Sequence, residues 1–480
     1  MSFRQNDLST IKKSFFVFLA GLVCVSFMLS GCKGKDKENY PSIGSQGSSE
    51  DQTTPETSGA SEETDSGELP HLGIRLPVSQ ETLDALVRLY SLKKTISEEE
   101  WNKDQILPED WMEVEPLFSY TMEEELSPAL SSEDVQRMYY AGSLPDVFVT
   151  DNIDVAAGIA ILLELDAFAA VDMRFGSGRL FPDALDACRS RSLLYGVPYR
   201  GSTMFLCYDR ALQGMGIKSF PFQPSLSDFT NISSQITEFF TAETSVADRI
   251  FPMSDSSVLL PYVHSFYSVS SGFFSFYRNT FHFQDDAFAK GVEYLRSYAR
   301  DYSFAAQSEE IREQYIDIPV NTAIRLESST RLATDATLYS SNEKPFISLL
   351  PTEDPSTGVA VPVKMQAVCV FRSTDYPDLA ADFASFVALD EDALAIQAKE
   401  ILGDGYFPFL SSLSDWETFY NESNYREEWL SFYTQMKNAY YLSGINNRDA
   451  EKRIDRKIEE NKAALLDDTM SLTDWLSSVT

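Results

Sequence analysis

The stretch Pro145-Asp-Val-Phe-Val-Thr-Asp151 is a continuous strand-like run that is bounded by turn residues at both ends. A run of this kind is typical of a central parallel strand whose two faces are both covered. Toward the amino end, residues 132–141 are predicted to form a helix, residues 111–118 a second strand, and residues 72–77 a third, which is followed by a helix that Ser79 caps. This alternation of strands and helices predicts an α/β domain.

On the carboxyl side of that stretch, predicted strands and helices continue to alternate. Residues 285–302 place Phe288, Val292 and Leu295 on one helical face. Residues 368–371 are predicted to form a strand, and a helix is predicted to begin at Pro377. The fold class predicted for the body of the chain is therefore α/β throughout.

Composition excludes several classes of protein. Of the 480 residues, 43% are apolar, which is sufficient for substantial cores. The 73 acidic residues outnumber the 39 basic ones, for a net charge of −34, and that balance argues against a nucleic-acid partner, which would need a basic face. His71, His264 and His282 are separated in the sequence, and no P-loop, nucleophile elbow, zinc-protease or C-x-x-C motif is present. We therefore expect no metal, no cofactor and no enzymatic activity.

The amino terminus has the layout of a secretory signal peptide. Basic residues precede an apolar stretch at residues 15–29, and Leu29-Ser-Gly-Cys32 resembles the lipobox of bacterial lipoproteins, in which the cysteine receives a lipid. We predict a signal peptide at residues 1–31, a lipid anchor at Cys32, a disordered tether at residues 32–70 and a location on the outer side of the bacterial membrane. The alternative is an ordinary cleaved signal with an incidental cysteine.

Three cysteines remain after the anchor, namely Cys188, Cys207 and Cys369. An odd number without metal-ligand spacing implies neither a disulfide framework nor a zinc site. Buried thiols are the simplest interpretation, with one oxidised pair as the alternative outside the cytoplasm.

An ordered set of segments carries a family resemblance. The segments are Pro145–Asp151 (PDVFVTD), residues 160–166 (AILLELD), 194–199 (LYGVPY), 205–212 (FLCYDRAL) and 216–217 (GI), followed by 345–351, 369–375, 380–387 and 405–408. The set resembles the extracellular solute-binding proteins of ABC importers, the family that contains maltose-binding protein, and it covers about residues 71–440. Departures from the family pattern include Cys207, Asp209 in place of the commoner Asn, and the absence of the family's G-x-W pocket segment from residues 325–343.

This resemblance implies a two-lobed periplasmic-binding-protein type II fold, in which each lobe is a mostly parallel sheet flanked by helices. The chain would cross between the lobes near residues 199–203, 365–368 and 402–407. Lobe 1 would contain residues 71–199 and 366–401, and lobe 2 would contain residues 204–361 and 408–480. The resemblance further implies a monomer that binds a small solute in the interlobe cleft and delivers it to a membrane permease.

The residues favour a mono- or oligosaccharide as the solute, and the alternatives, which the clefts of related proteins take, are glycerol phosphates, polyamines and metal chelates. Aromatic faces cover the C–H surface of a pyranose, and charged or amide groups bind its hydroxyls. Aromatic residues make up 13% of the chain. The ends of predicted strands, the proposed crossings and an aromatic-rich stretch supply the candidate ligand-binding residues Asp151, Asn152, Tyr199, Arg200, Tyr262, His264, Arg331, Tyr339, Tyr406 and Phe407.

Each assignment has an alternative. The aromatic residues can serve the core, Asp151 and Asn152 can cap a helix, and Arg200 can form an interlobe salt bridge. At the level of function, a cell-surface glycosidase or other hydrolase on a similar tether, and a ligand sensor with the same binding fold, remain open.

Overall fold

The computed structural model describes residues 69–96, 113–154, 156, 160–176, 178–181, 183–214, 216–218, 220–241, 245–267, 274–275, 280–281, 286–336, 344–357, 361–411, 420, 425–436, 440–443, 448–466 and 469–479. The predicted signal peptide, the lipid-anchor residue Cys32, residues 32–68 of the predicted tether and Tyr339 lie outside these residues. Within the described ranges, no helix combines the length and the apolar character needed to cross a bilayer.

Strands and helices alternate along most of the described chain. The strands are β1 His71–Arg75, β2 Ser119–Met122, β3 Val147–Thr150, β4 Arg189–Ser190, β5 Leu193–Leu194, β6 Val197–Tyr208, β7 Ile250–Phe251, β8 Phe274–Ser275, β9 Thr280–Phe281, β10 Asn321–Thr322, β11 Ile324–Ser328, β12 Phe346–Ser348, β13 Val361–Val370, β14 Phe407–Pro408 and β15 Tyr440–Ser443. The α-helices are α1 Gln80–Thr95, α2 Ser132–Ala141, α3 Asp166–Ala169, α4 Ala184–Ala187, α5 Ala211–Gly214, α6 Leu226–Thr241, α7 Asp286–Tyr302, α8 Glu309–Glu313, α9 Ser329–Ala336, α10 Pro377–Leu389, α11 Glu391–Gly403, α12 Arg426–Met436, α13 Arg448–Leu466 and α14 Leu472–Val479. The 3₁₀ helices are Met173–Phe175, Val246–Asp248, Ser256–Phe266, Phe304–Ala306 and Pro355–Thr357.

Local sequence signals explain where the main helices begin and end. The side chain of Ser79 accepts a hydrogen bond from the backbone of Thr82 at the start of α1. Ser131 and Asp134 form a capping box at the start of α2, which ends at Gly142 in the left-handed conformation. Pro377 occupies the first turn of α10, where the missing N–H costs no hydrogen bond.

A central mixed sheet organises the described part of the chain. Its strand order is β11-β6-β13-β3-β1-β2, with β12 and β14 also paired to β6 and β15 paired to β13. Strands β1, β2 and β3 are mutually parallel, whereas β13 is antiparallel to both β3 and β6. All four residues of β3 are buried, as the continuous apolar run predicts for a central strand.

The buried apolar side chains form two separate groups, here called core 1 and core 2. Core 1 contains residues of β1, β3, β13, α1, α10 and α11, and core 2 contains residues of α6, α7 and the 3₁₀ helix Ser256–Phe266. Strand β6 takes part in both, since Val197 and Tyr199 lie in core 1 whereas Leu206 and Tyr208 lie in core 2.

The carboxyl-terminal segment divides between the two cores. Trp429 and Phe432 of α12 pack in core 1, and Ile458 of α13 and Trp475 of α14 pack in core 2. The lobe boundaries given above, which place residues 408–480 in the second lobe, stay a prediction.

Two sequence expectations, one for the second strand and one for the cysteines, can be compared with the described residues. The second strand begins at Ser119, one residue after the predicted 111–118 strand ends, and residues 111–112 lie outside the described residues. Cys188, Cys207 and Cys369 are buried free thiols, which matches the simpler of the two interpretations. Burial raises the pKa of the Cys188 and Cys369 thiols.

Candidate functional site

Strand directions bring polar residues to one edge of the sheet. The parallel strands β1, β2 and β3 end at the same edge, and ligands of open α/β sheets bind beyond such carboxyl ends. Strand β13 pairs Ala367 with Thr150 on one side and Gln366 with Arg200 on the other. This register places Asp151, the residue after β3, next to Gln366 and two strands away from Arg200.

The segments predicted to cross between the lobes meet at this edge, where β6 pairs with both β13 and β14. Strand β6 continues past Arg200 to Tyr208, and β13 begins well before Gln366, at Val361. Strand β14 joins β6 there, with Phe407 opposite Gly201. The edge at which β3 ends is therefore spanned by β6, β13 and β14 side by side.

Arg200 is the centre of a polar group at this place, here called the crossing cluster and made of Arg200, Gln366, Asp404 and Tyr406. The Arg200 side chain is only 3% exposed, and its Nε donates a hydrogen bond of 2.8 Å to Gln366 Oε1. Its guanidinium carbon lies 3.9 Å from the centroid of the Tyr406 ring, which is within cation–π distance. Gln366 Nε2 completes the group with a 3.2 Å bond to the Tyr406 hydroxyl.

The electrostatics of the crossing cluster leave capacity for a ligand. Arg200 Nη1 lies 3.6 Å from Asp404 Oδ2, an ion-pair distance, and this buried nitrogen makes no hydrogen bond. Burial raises the pKa of Asp404, and the neighbouring carboxylate of Glu400 acts in the same direction while Arg200 opposes it. An incoming hydroxyl or carboxylate oxygen could therefore accept a charge-assisted bond from Nη1.

The two residues that follow β3 have different surroundings. Asn152 is fully buried; its side chain donates to Ser132 Oγ at 2.5 Å and accepts from the backbone of Asp154 at 3.1 Å. That is the capping alternative rather than an exposed ligand contact. Asp151 is half-buried, and its buried Oδ1 atom has no hydrogen-bond partner.

Two candidate aromatic residues lie in core 1. The hydroxyl of Tyr199 donates a 2.6 Å hydrogen bond to Gln397 Oε1, both residues are fully buried, and burial raises the pKa of Tyr199. Phe407 is also buried and packs over Gly201, at which an added Cβ would lie 2.9 Å from the Phe407 ring. In this structure neither aromatic ring presents a face to a ligand.

The remaining candidates lie on elements outside the crossing cluster. Tyr262 and His264 lie in the 3₁₀ helix Ser256–Phe266 and pack with core 2, His264 fully buried and Tyr262 half-buried. Arg331 is exposed on α9 and lies 3.4 Å from Glu327. The structure thus brings Asp151, Arg200, Tyr406 and Phe407 to one edge, and it places Tyr262, His264 and Arg331 on other elements.

Sequence reasoning missed four polar residues at this edge, namely Asp404 and Gln366 of the crossing cluster, Arg75 and Glu124. Gln366 connects Asp151 and Arg200 through strand register, and Arg75, at the end of β1, forms a 2.5 Å ion pair with Glu124 beyond the end of β2. Arg75 and Glu124 also line a cavity of about 540 Å³ beside α2. Arg75 stands at the carboxyl end of β1, just as Asp151 stands at the carboxyl end of β3. The rule that located Asp151 could therefore have located Arg75 if it had been applied to β1.

The arrangement supplies binding groups. The edge offers a buried guanidinium with one unused donor, a carboxylate oxygen without a partner and a half-buried tyrosine. Across the described ranges, no group of three or more His, Cys, Asp or Glu side chains is placed to hold a metal ion. Fold and edge together suit the class of proteins that bind a small polar solute beside the ends of parallel strands.

Comparison with known families agrees with this class. The family model described as bacterial extracellular solute-binding protein matches residues 127–426, which is more than half of the chain. The chain belongs to this family, as its motifs predict, and the family description places it outside the cytoplasm. A comparison with curated protein sequences gives no match.

Solved structures show the fold. The sugar-binding protein of Xanthomonas citri matches with a TM-score of 0.59 at 12% identity, over 85% of this chain and 95% of that chain. An extracellular solute-binding protein from Staphylococcus aureus in complex with maltose matches with a TM-score of 0.58 at 11% identity, over 86% and 97%. A Listeria monocytogenes substrate-binding protein in complex with cycloalternan gives 0.55 at 13%, over 86% and 97%. These matches confirm the predicted two-lobed α/β architecture.

Proposed function

We propose that the chain is the lipid-anchored substrate-binding component of an ABC transporter and that it captures a mono- or oligosaccharide between its lobes. The observation that carries this proposal is the passage of β6, β13 and β14 side by side past the carboxyl ends of β1, β2 and β3. Two polar atoms at the same edge make no hydrogen bond, namely Arg200 Nη1, which is ion-paired with Asp404, and Asp151 Oδ1. The sugar complexes of proteins with this fold support a carbohydrate as the solute.

The mechanism is hinge closure. In the open form a solute contacts one lobe, whereas in the closed form it contacts both, so the bound solute shifts the population toward closure. Arg200 lies on β6 and Tyr406 lies directly before β14, so a sugar hydroxyl bound there would couple ligand contact to the angle between the lobes. The closed form then docks on the membrane permease.

A thermal-shift panel of mono- and oligosaccharides tests the binding step. We expect one sugar class to raise the melting temperature. We expect Asp151→Asn to weaken its binding by about tenfold or more, because the negative charge is lost and an NH₂ donor replaces one of the two acceptor oxygens. Asp375→Asn makes the same chemical change at an exposed position beyond the carboxyl end of β13, at the opposite edge of the sheet, and should bind normally. Equal affinity of the two variants would remove Asp151 from the site, and a panel without any response would overturn the sugar assignment.

The same sample separates a binding protein from a hydrolase. Chromatography after prolonged incubation should recover the bound sugar intact, whereas a glycosidase would convert it to smaller products. The lipid anchor is tested separately by labelling cells with a radioactive fatty acid. The label should enter the wild-type chain and be absent from Cys32→Ala, and equal labelling of both would refute the anchor.

A further inference from the structure

A second cavity lies against core 2, on elements that do not contribute to the crossing cluster. Its volume is about 620 Å³, and it is bounded by the amino end of the 3₁₀ helix Ser256–Phe266, by α7, by α8 and by α13. A cavity of this size accommodates a small metabolite rather than a single ion.

The lining of this cavity is basic although the chain as a whole is strongly acidic. Four cationic side chains line it, and Asp255 is the single carboxylate among the lining residues; the cations are Arg296, Arg300, Arg312 and Lys462. Arg296 and Arg300 are four residues apart on α7, so they lie on one face of that helix. In a protein of net charge −34, this local reversal of sign selects an anionic ligand.

The acidic neighbours are committed to specific contacts. Asp255 caps the 3₁₀ helix by accepting from the backbone of Ser257 at 2.9 Å, and its other oxygen lies 3.4 Å from Lys462 Nζ. Lys462 Nζ also lies 2.6 Å from Glu459 Oε1, and Arg300 Nε lies 3.3 Å from Asp301 Oδ1 at the exposed rim. Arg296 is oriented by a 3.0 Å bond from its Nη2 to the Met470 carbonyl.

A buried hydroxyl at the amino end of the 3₁₀ helix provides an independent indication of a ligand. Ser256 is fully buried and lines the cavity, and its Oγ atom has no hydrogen-bond partner. The Ser256 backbone N–H is already used, since it donates to Ser303 Oγ at 3.1 Å. A buried hydroxyl without a partner is uncommon in native proteins, and an acceptor oxygen inside the cavity would satisfy it.

We propose that this cavity binds the phosphate group of a small soluble phosphomonoester, at a site separate from the sugar cleft. Guanidinium groups and hydroxyls both donate to phosphate oxygens. The volume beyond the phosphate holds the organic part of the ligand. Because the Ser256 hydroxyl is buried, a soluble molecule that enters the cavity fits better than a headgroup held in a membrane surface.

Calorimetric titration of the purified full chain tests the site with inorganic phosphate and glycerol 3-phosphate, and with glycerol as the uncharged control. Both phosphates should bind and glycerol should not. Arg300→Glu should weaken phosphate binding by about tenfold or more because one donor becomes a repelling charge. Arg300 is 76% exposed, so the variant should fold, and Arg137→Glu makes the same charge change at a 75% exposed position on α2.

The outcomes separate this site from the proposed cleft. Loss of phosphate binding in Arg300→Glu, with normal phosphate binding in Arg137→Glu and Asp151→Asn, supports the assignment whether or not a sugar binds. No phosphate binding by the wild-type chain, or equal weakening in the two arginine variants, would overturn it. Binding to phosphatidylglycerol vesicles without binding of either soluble phosphate would also overturn the soluble ligand.

Discussion

Gly405 lies just before β14, at the third predicted crossing, and its replacement by alanine tests the packing of that crossing. Its backbone has φ +75°, a conformation that alanine adopts only with strain. A Cβ built there would lie 2.1 Å from the Ser329 carbonyl oxygen and 2.8 Å from Thr330 Cα, both backbone atoms at the start of α9. No side-chain rotation can relieve these contacts, so α9 and the crossing must move apart.

The magnitude follows from two contributions. The left-handed backbone costs an alanine about 1–2 kcal/mol. Overpacking costs about 1–3 kcal/mol, because backbone atoms must retreat by about 1 Å or more before ordinary contact distances are restored. We therefore expect Gly405→Ala to lower the free energy of unfolding by about 3 kcal/mol or more.

Urea denaturation followed by tryptophan fluorescence measures this loss. The matched control is Gly142→Ala, because Gly142 has a similar φ of +67° but nothing within 4 Å of a built Cβ. It should lose only the backbone contribution, about 1–2 kcal/mol, with an unchanged denaturant slope. Equal losses in the two variants would refute the close contact between the third crossing and α9.

Three further variants test contacts described above or adjoining them. Tyr199→Phe leaves buried Gln397 Oε1 without its donor, so calorimetric stability should fall by about 1–3 kcal/mol with sugar affinity unchanged, and a selective loss of affinity would contradict the core role. Burial alone would raise the pKa of Asp382, but hydrogen bonds such as the one from Lys94 outweigh burial and lower it. Asp382 therefore stabilises the fold at pH values above the unfolded carboxyl pKa. The urea midpoint of Asp382→Asn should be lower than the wild-type midpoint at pH 7, and the difference should vanish as the pH drops below about 4. A difference that does not change with pH would refute the ion pair between Asp382 and Lys94. Trp475→Ala should lower the free energy of thermal unfolding by about 3–5 kcal/mol because Trp475 is fully buried in core 2. A negligible loss would contradict the packing of α14 against that core.

Fold class and individual strands and helices could be predicted from the sequence where local patterns decide the structure. The run at residues 147–150 is buried on both faces, and α10 begins at Pro377 as predicted. The second strand was displaced because β2 is an edge strand of alternating exposure, SYTM, which carries less apolar signal than the residues before it.

The site depends on contacts between residues that are distant in the sequence. Tyr199 is an aromatic residue beside a crossing, but Gln397, its hydrogen-bond partner, is 198 positions away, and nothing local indicates that the pair is buried. The stacking of Arg200 on Tyr406 depends likewise on the register of β14 against β6. Residue type and strand ends locate the edge, whereas tertiary register decides which side chains reach it.

Small-angle scattering with and without a sugar found by the thermal-shift panel tests the central claim most directly. Saturating sugar should lower the radius of gyration of the wild-type chain, because bound solute draws the two lobes together, and a sugar that does not bind should leave it unchanged. A bound sugar, demonstrated in the same sample, that leaves the scattering curve of the wild-type chain unaltered would contradict capture by hinge closure.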